Sequence, residues 1–540
     1  MKDFSTIPPT RKWGWWRAVK WLLTIGLVLF GSHAVIKFGA EAFLRKKLIE
    51  FAATGCAVPD EREPFVVQVD PLAGDVNILG LALLPDPRCD SASAFRMEGR
   101  LDTLRISGLS LTRLLFSQTV SMDGLLLRVT RPSLAFSNDS LDAHLPAEVA
   151  SEPWDLLIGS LSVQIGPGRV ITTASDTITA TGQGLHLFGN DLHYEWNAQL
   201  SRSDLRAERL RCSTDSLALH FGNGYHLSFA ELALDQDQGT LEVYGASVVQ
   251  PQGQEQYSAT LRYETDVIEA RIDTLQIDGM DLSLGLADRV WSARRLSIPS
   301  GSITVLRDKT LPDGPYTFQP LLARLVRKFP LGSGIDTITL SNMDIRYRER
   351  ADPSRGFAMI PFTGVSGSIS GLRNVESDSA ELFVRARCTS FKSTPVSLVL
   401  RSAVRDTMDR FSVYAVIGRL PFADLNPATG PLVDVRATQG VMDSLVYRMN
   451  ADNRRASGKV IMSYDGLKVQ SGGRQRKQAM ERVKTVLLNS FVRDADNKDL
   501  SYRVGEFSFE RRKDRAVTNY LWSGLREGVK TVLLPDLKEN

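Results

Sequence analysis

Three stretches of this chain share one pattern. Leu101-Asp102-Thr103-Leu104-Arg105-Ile106-Ser107-Gly108-Leu109-Ser110-Leu111, Ile272-Asp273-Thr274-Leu275-Gln276-Ile277-Asp278-Gly279-Met280-Asp281-Leu282 and Ile335-Asp336-Thr337-Ile338-Thr339-Leu340-Ser341-Asn342-Met343-Asp344-Ile345 all read apolar-Asp-Thr-apolar-x-apolar-x-x-apolar-x-apolar. Leu275 and Ile277 alternate with polar neighbours, which puts them on one face of a strand. Asp278-Gly279 then adds one residue to the alternation before Met280 and Leu282 resume it. A bulge or tight corner there keeps both pairs on the same face. A half-apolar strand must bury that face against something. The repeated unit therefore restricts the chain to β-sheet architectures and makes the covering of the apolar face the central question.

The 540 residues are enough for about two to four domains or one long repetitive body. Lys+Arg 65 against Asp+Glu 62 is a near-neutral balance, and no RNP, zinc-finger or helix-turn-helix pattern is present. Nucleic acid is therefore not an expected partner. A hydrophobic content of 43% is that of a globular protein rather than a disordered one.

Residues 21–36 form an apolar run bracketed by Lys20 and Lys37. It is slightly short for a bilayer, but snorkelling lysines and flanking aromatics extend its reach. Trp13, Trp15, Trp16 and Trp21 precede or open it as an interfacial aromatic belt. Ala40-Glu41-Ala42 has the form of a signal-peptide cleavage site. The long Trp-rich leader and Lys37 argue instead for an uncleaved signal anchor. Basic residues flank both sides, so the positive-inside rule barely discriminates. A single span followed by a large β-rich body is read with the N-terminus in the cytoplasm and the body exported. Ala40 to Ala53 continues as an amphipathic helix, Phe43, Leu44, Leu48 and Phe51 against Arg45, Lys46 and Lys47. It is expected to lie along the outer face of the membrane.

From about Glu63 the period becomes two. Polar, proline-containing residues 137–152 read as a loop, and strands resume from Leu156 to about Leu306. Leu311-Pro312-Asp313-Gly314-Pro315 breaks the pattern. Phe318 to Phe329 then reads as a short helix with Leu321, Leu322, Leu325 and Val326 inward, ended by Pro330. Near the C-terminus, Gln475 to Val492 reads as a basic amphipathic helix and Leu500 to Arg511 as a strand. Arg515 to Leu534 reads as a helix with Val517, Leu521, Leu525 and Val529 inward and Gly524 and Gly528 allowing close approach. The basic residues Arg474, Arg476, Lys477, Arg482 and Lys484 offer a docking face beside the plainer role of a helical cap. The expected organisation is a cytoplasmic N-terminus (1–20), a transmembrane signal anchor (21–36) and a juxtamembrane helix (37–53). A first β-rich module (54–330), a second (331–473) and a helix–strand–helix cap (474–540) follow.

A membrane anchor, a strand–Gly–strand, a short turn with paired leucines (Leu114-Leu115) and a strand ending in Arg131-Pro132-Ser133-Leu134 together resemble the start of AsmA-like proteins. These belong to a wider group with TamB and YhdP. A second zone is similar to their periplasmic domains. It runs from Gly418-Arg419-Leu420-Pro421-Phe422-Ala423-Asp424-Leu425-Asn426-Pro427 through Gly440-Val441-Met442-Asp443 to Gly458-Lys459-Val460-Ile461-Met462-Ser463-Tyr464-Asp465-Gly466-Leu467. The stretch 155–310 matches only in style. The resemblance implies a mainly β fold: a long curled antiparallel sheet, taco-like, with a few short capping helices, standing on the inner membrane. It also implies phospholipid as partner, moved toward the outer membrane. Periodicity alone leaves two closed sheets or one curled sheet open.

No catalytic set is present: no G-x-S-x-G elbow, Walker loop or G-x-G-x-x-G opening a helix. An enzyme, a cofactor and a metal are not expected. His186, His193, His220 and His226 lack metal-site spacing and have no acidic partner at a matching offset. Gly364 to Gly371, rich in Gly and Ser, reads as a strand corner. Asp494 to Asp499 resembles a calcium loop but carries Lys498 at a ligand position. Of four cysteines, Cys56 and Cys89 would pair if the body is exported, closing a loop worth about 3–4 kcal/mol on the chain-entropy model; buried free thiols are the other reading. Cys212 and Cys388 are expected unpaired. The candidate groove-lining residues are Leu104, Ile106, Leu275, Ile277, Ile338 and Leu340. The other class of function is an envelope scaffold that helps outer-membrane proteins assemble through strand edges or the C-terminal helices, with an envelope protein as partner.

Overall fold

The computed structural model describes residues 33–533 apart from positions 55, 71, 88–94, 111–112, 114–116, 118, 137–153, 173–177, 198–201, 281–289, 330–331, 375–380 and 472–502. The chain divides into two compact units. One holds the described residues up to Val243, the other those of Tyr244–Met280 and from Val290 onward.

In the first unit, helix α1 (His33–Thr54) precedes β1 (Ala57–Pro59), β2 (Val66–Asp70), β3 (Asp75–Pro85), β4 (Phe95–Ser107), β5 (Thr119–Phe136), β6 (Trp154–Ile165), β7 (Gly168–Thr172), β8 (Ile178–Asn197), β9 (Arg202–Arg206), β10 (Arg209–Phe221), β11 (His226–Phe229) and β12 (Glu231–Asp235). Strand β13 (Thr240–Val249) straddles the division. The second unit holds α2 (Gln254–Thr260), β14 (Asp266–Asp278), β15 (Val290–Ile298), β16 (Gly301–Asp308), α3 (Leu322–Arg327), β17 (Gly332–Arg350), β18 (Ala358–Arg373), β19 (Glu381–Ser390), β20 (Thr394–Ala403), β21 (Phe411–Ile417) and β22 (Leu420–Pro421). A 3-10 turn then runs into α4 (Asn426–Val433), followed by β23 (Val435–Ala451), β24 (Arg455–Ser471), β25 (Arg503–Glu510) and α5 (Val517–Leu533). The fold is mainly β, as the period-two pattern requires.

Local chemistry explains the joints. In β2, Val67 and Val69 are buried while Val66, Gln68 and Asp70 are exposed. The Asp70 carboxylate accepts from the Leu72 and Ala73 N–H groups at 3.0 and 3.2 Å, turning the chain into β3. The repeated unit takes two forms. In the first and second copies the strand ends, and Gly108 (φ 64°) and Gly279 (φ 67°) turn the corner in a region that a Cβ disfavours. The third copy has Asn342 there. Strand β17 continues through a bulge between Leu340 and Met343, answered on β18 by a second shift at Gly364.

The pairing is not all antiparallel, contrary to the sequence expectation. Strand β5 pairs in parallel with β6 and β7, and β17 in parallel with β15 and β16. Parallel neighbours need a long crossover. The connections between β5 and β6 (137–153) and between β16 and β17 (309–331) are long enough for one, where the sequence reading takes only a loop and a helix. Each parallel partner is a strand interrupted at a proline, Gly166-Pro167 or Pro299-Ser300.

Two helices differ from expectation in their buried face. Helix α1 packs its apolar side on the first strands. Leu44 is buried with Phe65, Val67, Val69 and Ile78, and Phe43 and Leu48 pack on the same cluster. The Arg45 guanidinium lies 4.4 Å over the Phe65 ring and donates to the Phe65 carbonyl at 2.6 Å. In α5 the fully buried stripe is Tyr520, Gly524, Gly528 and Val532, one position round from the expected one. Val517, Leu521, Leu525 and Val529 flank it, partly buried. The glycines decide this, because a helix approaches its sheet most closely where it has no side chain. The expected helix at Phe318–Phe329 shortens to α3, with Leu321 buried and Leu325 half exposed.

Among the described residues no helix is long and apolar enough to cross a membrane. The expected anchor lies outside them except for His33–Ile36, which begin α1, as do Trp13, Trp15, Trp16, Lys20 and Trp21; Lys37 is exposed on α1. The expected helix Gln475–Val492, its basic residues and Asp494–Asp499 also fall outside.

A Cβ at Gly528 would collide with the Val460 side chain, and one at Gly524 with the Tyr447 hydroxyl. Gly528→Ala should therefore lower stability by about 1–3 kcal/mol through overpacking, read as a fall in thermal midpoint. Gly39 in α1 meets nothing within 4 Å of an added Cβ. Gly39→Ala should leave stability unchanged or raise it by up to about 1 kcal/mol.

Candidate functional site

Side chains directly opposite each other across a strand pair share a face. In the second unit the register sets up one row across ten strands, β14 to β21 and then β23 to β25: Ile277, Leu296, and after β16 Ile338, Ile369, Val384, Leu400, Val413, Met449, Gly458 and Phe507. Strand β16 extends the line of β15 and stands outside this row. The neighbouring row carries Ile298, Leu340, Gly367, Ala386, Leu398, Ala415, Tyr447 and Val460. Every side chain in the first row is apolar, so this row is hydrophobic from one end of the unit to the other.

Its cover is uneven. Leu400, Val413, Met449 and Phe507 are at most 8% exposed, in a core closed by α5 and by Leu321. Ile277, Leu296, Ile338 and Ile369 remain half-buried and belong to no core cluster among the described residues. The first unit repeats the arrangement. Val67, Ile78, Leu104, Leu127, Val163, Leu187, Cys212 and Leu234 form one row. Val67 and Ile78 are buried beneath α1, and the row becomes half-buried from Leu104 onward.

The six candidate lining residues thus fall on these two faces, in two groups. Leu275, Ile277, Ile338 and Leu340 lie in the second unit outside its core clusters. Leu104 and Ile106 lie in the first and pack against the cluster beneath α1. Cys212, in the first unit's row, and Cys388 are free, and burial pushes both thiols up. Cys56 is disulfide-bonded, and its expected partner Cys89 lies outside the described residues.

Sequence reasoning missed what ties the ends of the second unit together. Residues 309–321 form a strap: the Glu264 N–H donates to the Pro312 carbonyl at 2.9 Å, and the Gln319 N–H to the Lys513 carbonyl at 2.8 Å. Arg327 of α3 donates to the Asp409 carboxylate, itself 2% exposed, at 2.5 Å. Ahead of α5, Arg515 pairs with Glu264 at 3.1 Å and Asp313 at 2.8 Å. Glu264 and Arg515 are 251 residues apart, a distance no local pattern reports.

Around this joint, Glu264, Asp266, Asp313 and Glu349 meet Arg307, Lys309 and Arg515. Arg307 lies 2.9 Å from Asp266 and 3.3 Å from Glu264; Lys309 lies 2.8 Å from Glu349, which also accepts from the Tyr347 hydroxyl at 2.6 Å. Asp514 and Arg512 extend the network without changing its balance. Four carboxylates thus meet three cations. Burial and the hydrogen bond to Asp313 hold Glu264 above its ordinary range, while Arg515 and that same hydrogen bond hold Asp313 below its own. Burial also raises Asp266 against the pull of Arg307. The geometry is that of a structural joint.

The histidines are less isolated than the sequence suggests. His220 Nδ1 and His226 Nε2 stand 3.0 Å apart, brought opposite by the β10–β11 register, and His193 Nε2 lies 3.8 Å from Asp155. Among the described residues no group of three or more His, Cys, Asp or Glu is placed to hold a metal ion. No protein-family model matches the chain, and no curated protein matches it.

The joint makes stability depend on pH in two opposed ways. Glu264 binds its proton more tightly folded than unfolded, so its contribution is full below 4.5 and is lost as pH rises through its raised value. Asp313 contributes fully above 3.8 and loses its share as pH falls through its lowered value. Glu264→Gln keeps a neutral donor and removes the titration. Its thermal midpoint should therefore fall less steeply than that of the unsubstituted chain as pH rises above 4.5; identical slopes would show that Glu264 holds no extra proton.

Proposed function

We propose that this protein is an inner-membrane-anchored envelope component whose β-rich body, in the periplasm, binds phospholipid acyl chains along its apolar strand faces and serves outer-membrane lipid homeostasis. In this reading residues 21–36 are the anchor and the N-terminus is cytoplasmic. The body is a curled sheet of the kind AsmA-like proteins are expected to share. Its trough is closed at one end by α5 and the strap and is open along β14, β15, β17 and β18.

The supporting observation is the unequal cover of a continuous apolar row. Leu400 and Met449 have protein over them, whereas Ile277, Leu296, Ile338 and Ile369 keep partial exposure in the same register. Each buried CH₂ is worth about 0.8 kcal/mol, so an acyl chain gains affinity along such a row without a dedicated polar site. The absence of directional contacts also suits a ligand that slides. The twist and bulges of β17 and β18 would give the sheet the bend that a trough needs.

A photo-crosslinking residue placed at Ile277, Leu296 or Ile338 should yield phospholipid adducts in envelope preparations, while Gln276 and Thr339, on the opposite face, should not. Equal labelling of both faces, or none at Ile277 and Ile338, would overturn the reading. Capture of an envelope protein with no co-purifying lipid in native mass spectrometry would instead favour a scaffold with a dry core.

A further inference from the structure

Arg511 follows β25 directly and is only 6% exposed. Its Nη2 donates to the Gln319 carbonyl of the strap. Its Nε and Nη1 are buried and have no hydrogen-bond partner among the described residues. The guanidinium carbon lies 5.9 Å from the centre of the Phe318 ring and 5.7 Å from that of Tyr520. The two rings stabilise the charge. They do not replace an oxygen acceptor for each N–H, and a buried donor left unpaired is costly.

No carboxylate meets this need. Asp409 is the carboxylate that draws most on Arg511, and Arg327 already holds it at 2.5 Å. Arg512, next in the chain, is turned to Asp514 at 2.9 Å. The nearest other charge is a second cation. Arg324 of α3 lies 5.0 Å from the centre of the same Phe318 ring and forms no ion pair among the described residues. Burial, and to a lesser extent Arg324, pull Arg511 below its ordinary value, although a guanidinium keeps its charge. Tyr316, 70% exposed, lies in electrostatic reach of Arg511, and its hydroxyl has no partner among the described residues. Three guanidinium groups, of Arg324, Arg327 and Arg511, thus gather about one carboxylate. This is the reverse of the joint at Glu264, where carboxylates outnumber cations.

We propose that Arg511 and Arg324 form a binding site for a phosphate group beside Phe318 of the strap, with the Tyr316 hydroxyl as a further donor. Charge decides the class of ligand. A phosphate group carries about 1.5 to 2 negative charges at neutral pH, which matches the excess of cations; a carboxylate carries one. Its oxygens accept charge-assisted bonds from the free N–H groups of Arg511. Tyr316, Phe318 and Arg324 all keep contact with solvent, so a small anion reaches Arg511 by displacing side chains and not backbone. The site does not rest on the lipid reading. Inorganic phosphate and the phosphate of a lipid headgroup share this chemistry.

The test uses the purified full-length chain. Inorganic phosphate is titrated calorimetrically, and co-sedimentation is measured with phosphatidylcholine vesicles with and without phosphatidylglycerol. Bound phosphate should also raise the thermal midpoint, since it stabilises the folded state alone. Arg324→Gln should weaken binding by at least about tenfold, the equivalent of one charge-assisted hydrogen bond. Arg385→Gln removes one exposed cation elsewhere in the unit and should change binding by less than about twofold. Arg511→Gln should abolish binding and the rise in midpoint. Where that buried substitution prevents folding, as read by circular dichroism, Arg324→Gln on the half-buried helix position carries the test. Saturable phosphate binding with these dependences supports a free-phosphate site, and the same dependences with phosphatidylglycerol vesicles alone support a headgroup site. No binding of either probe, or equal losses in Arg324→Gln and Arg385→Gln, would overturn the proposal and leave Arg511 a structural cation between two rings.

Discussion

Ile338 has a hydrophobic neighbour on each side, Leu296 on a parallel strand and Ile369 on an antiparallel one. The second unit depends on that coincidence of registers. A slip of one residue at either pairing would turn one strand's apolar set to the polar face. The strand order joins parallel and antiparallel pairs, whose hydrogen bonding differs, and yet the apolar row continues through both. Bulges preserve it where strands lengthen. The shift in β17 after Leu340 is followed by one in β18 at Gly364, so the mismatch is corrected within a few residues.

Cover for this face comes from small elements placed at the ends. Helix α5 approaches through Gly524 and Gly528, so that Tyr447, Met449 and Val460 meet helix backbone rather than side chains. Leu321, at the start of α3, fills the same core. In the first unit α1 does the corresponding work over Val67 and Ile78. None of these helices extends over the whole row, and their lengths account for the change from buried to half-buried positions along it. The proposed lipid function follows from this shortage of cover.

The ion network around Glu264 has a different role. Its members come from the residues before β14, from β14, β16 and β17, from the strap, and from the approach to α5. Burial makes its charges costly unless each is paired, so the network holds only while all of these segments are in place. Four carboxylates meet three cations there, and burial holds Glu264 and Asp266 above their ordinary range.

Much of this was legible in the chain itself. Period-two alternation identified the strands, and the Asp-Thr units marked where they bend, because side-chain direction in a strand is a local property. Gly524 and Gly528 announced a close helix contact for the same reason. Parallel pairing was not legible: a crossover and a loop of equal length look alike until the partner strand is known. Nor was the exposed side of Leu325, the packing of α1 on β2 and β3, or the meeting of Glu264 with Arg515. Sequence by itself determined which residues are apolar and that they fall on one face of each strand. Only the tertiary structure decided which strands lie side by side, and hence how far Ile277 and Ile338 are covered, since that depends on contacts between residues tens to hundreds of positions apart.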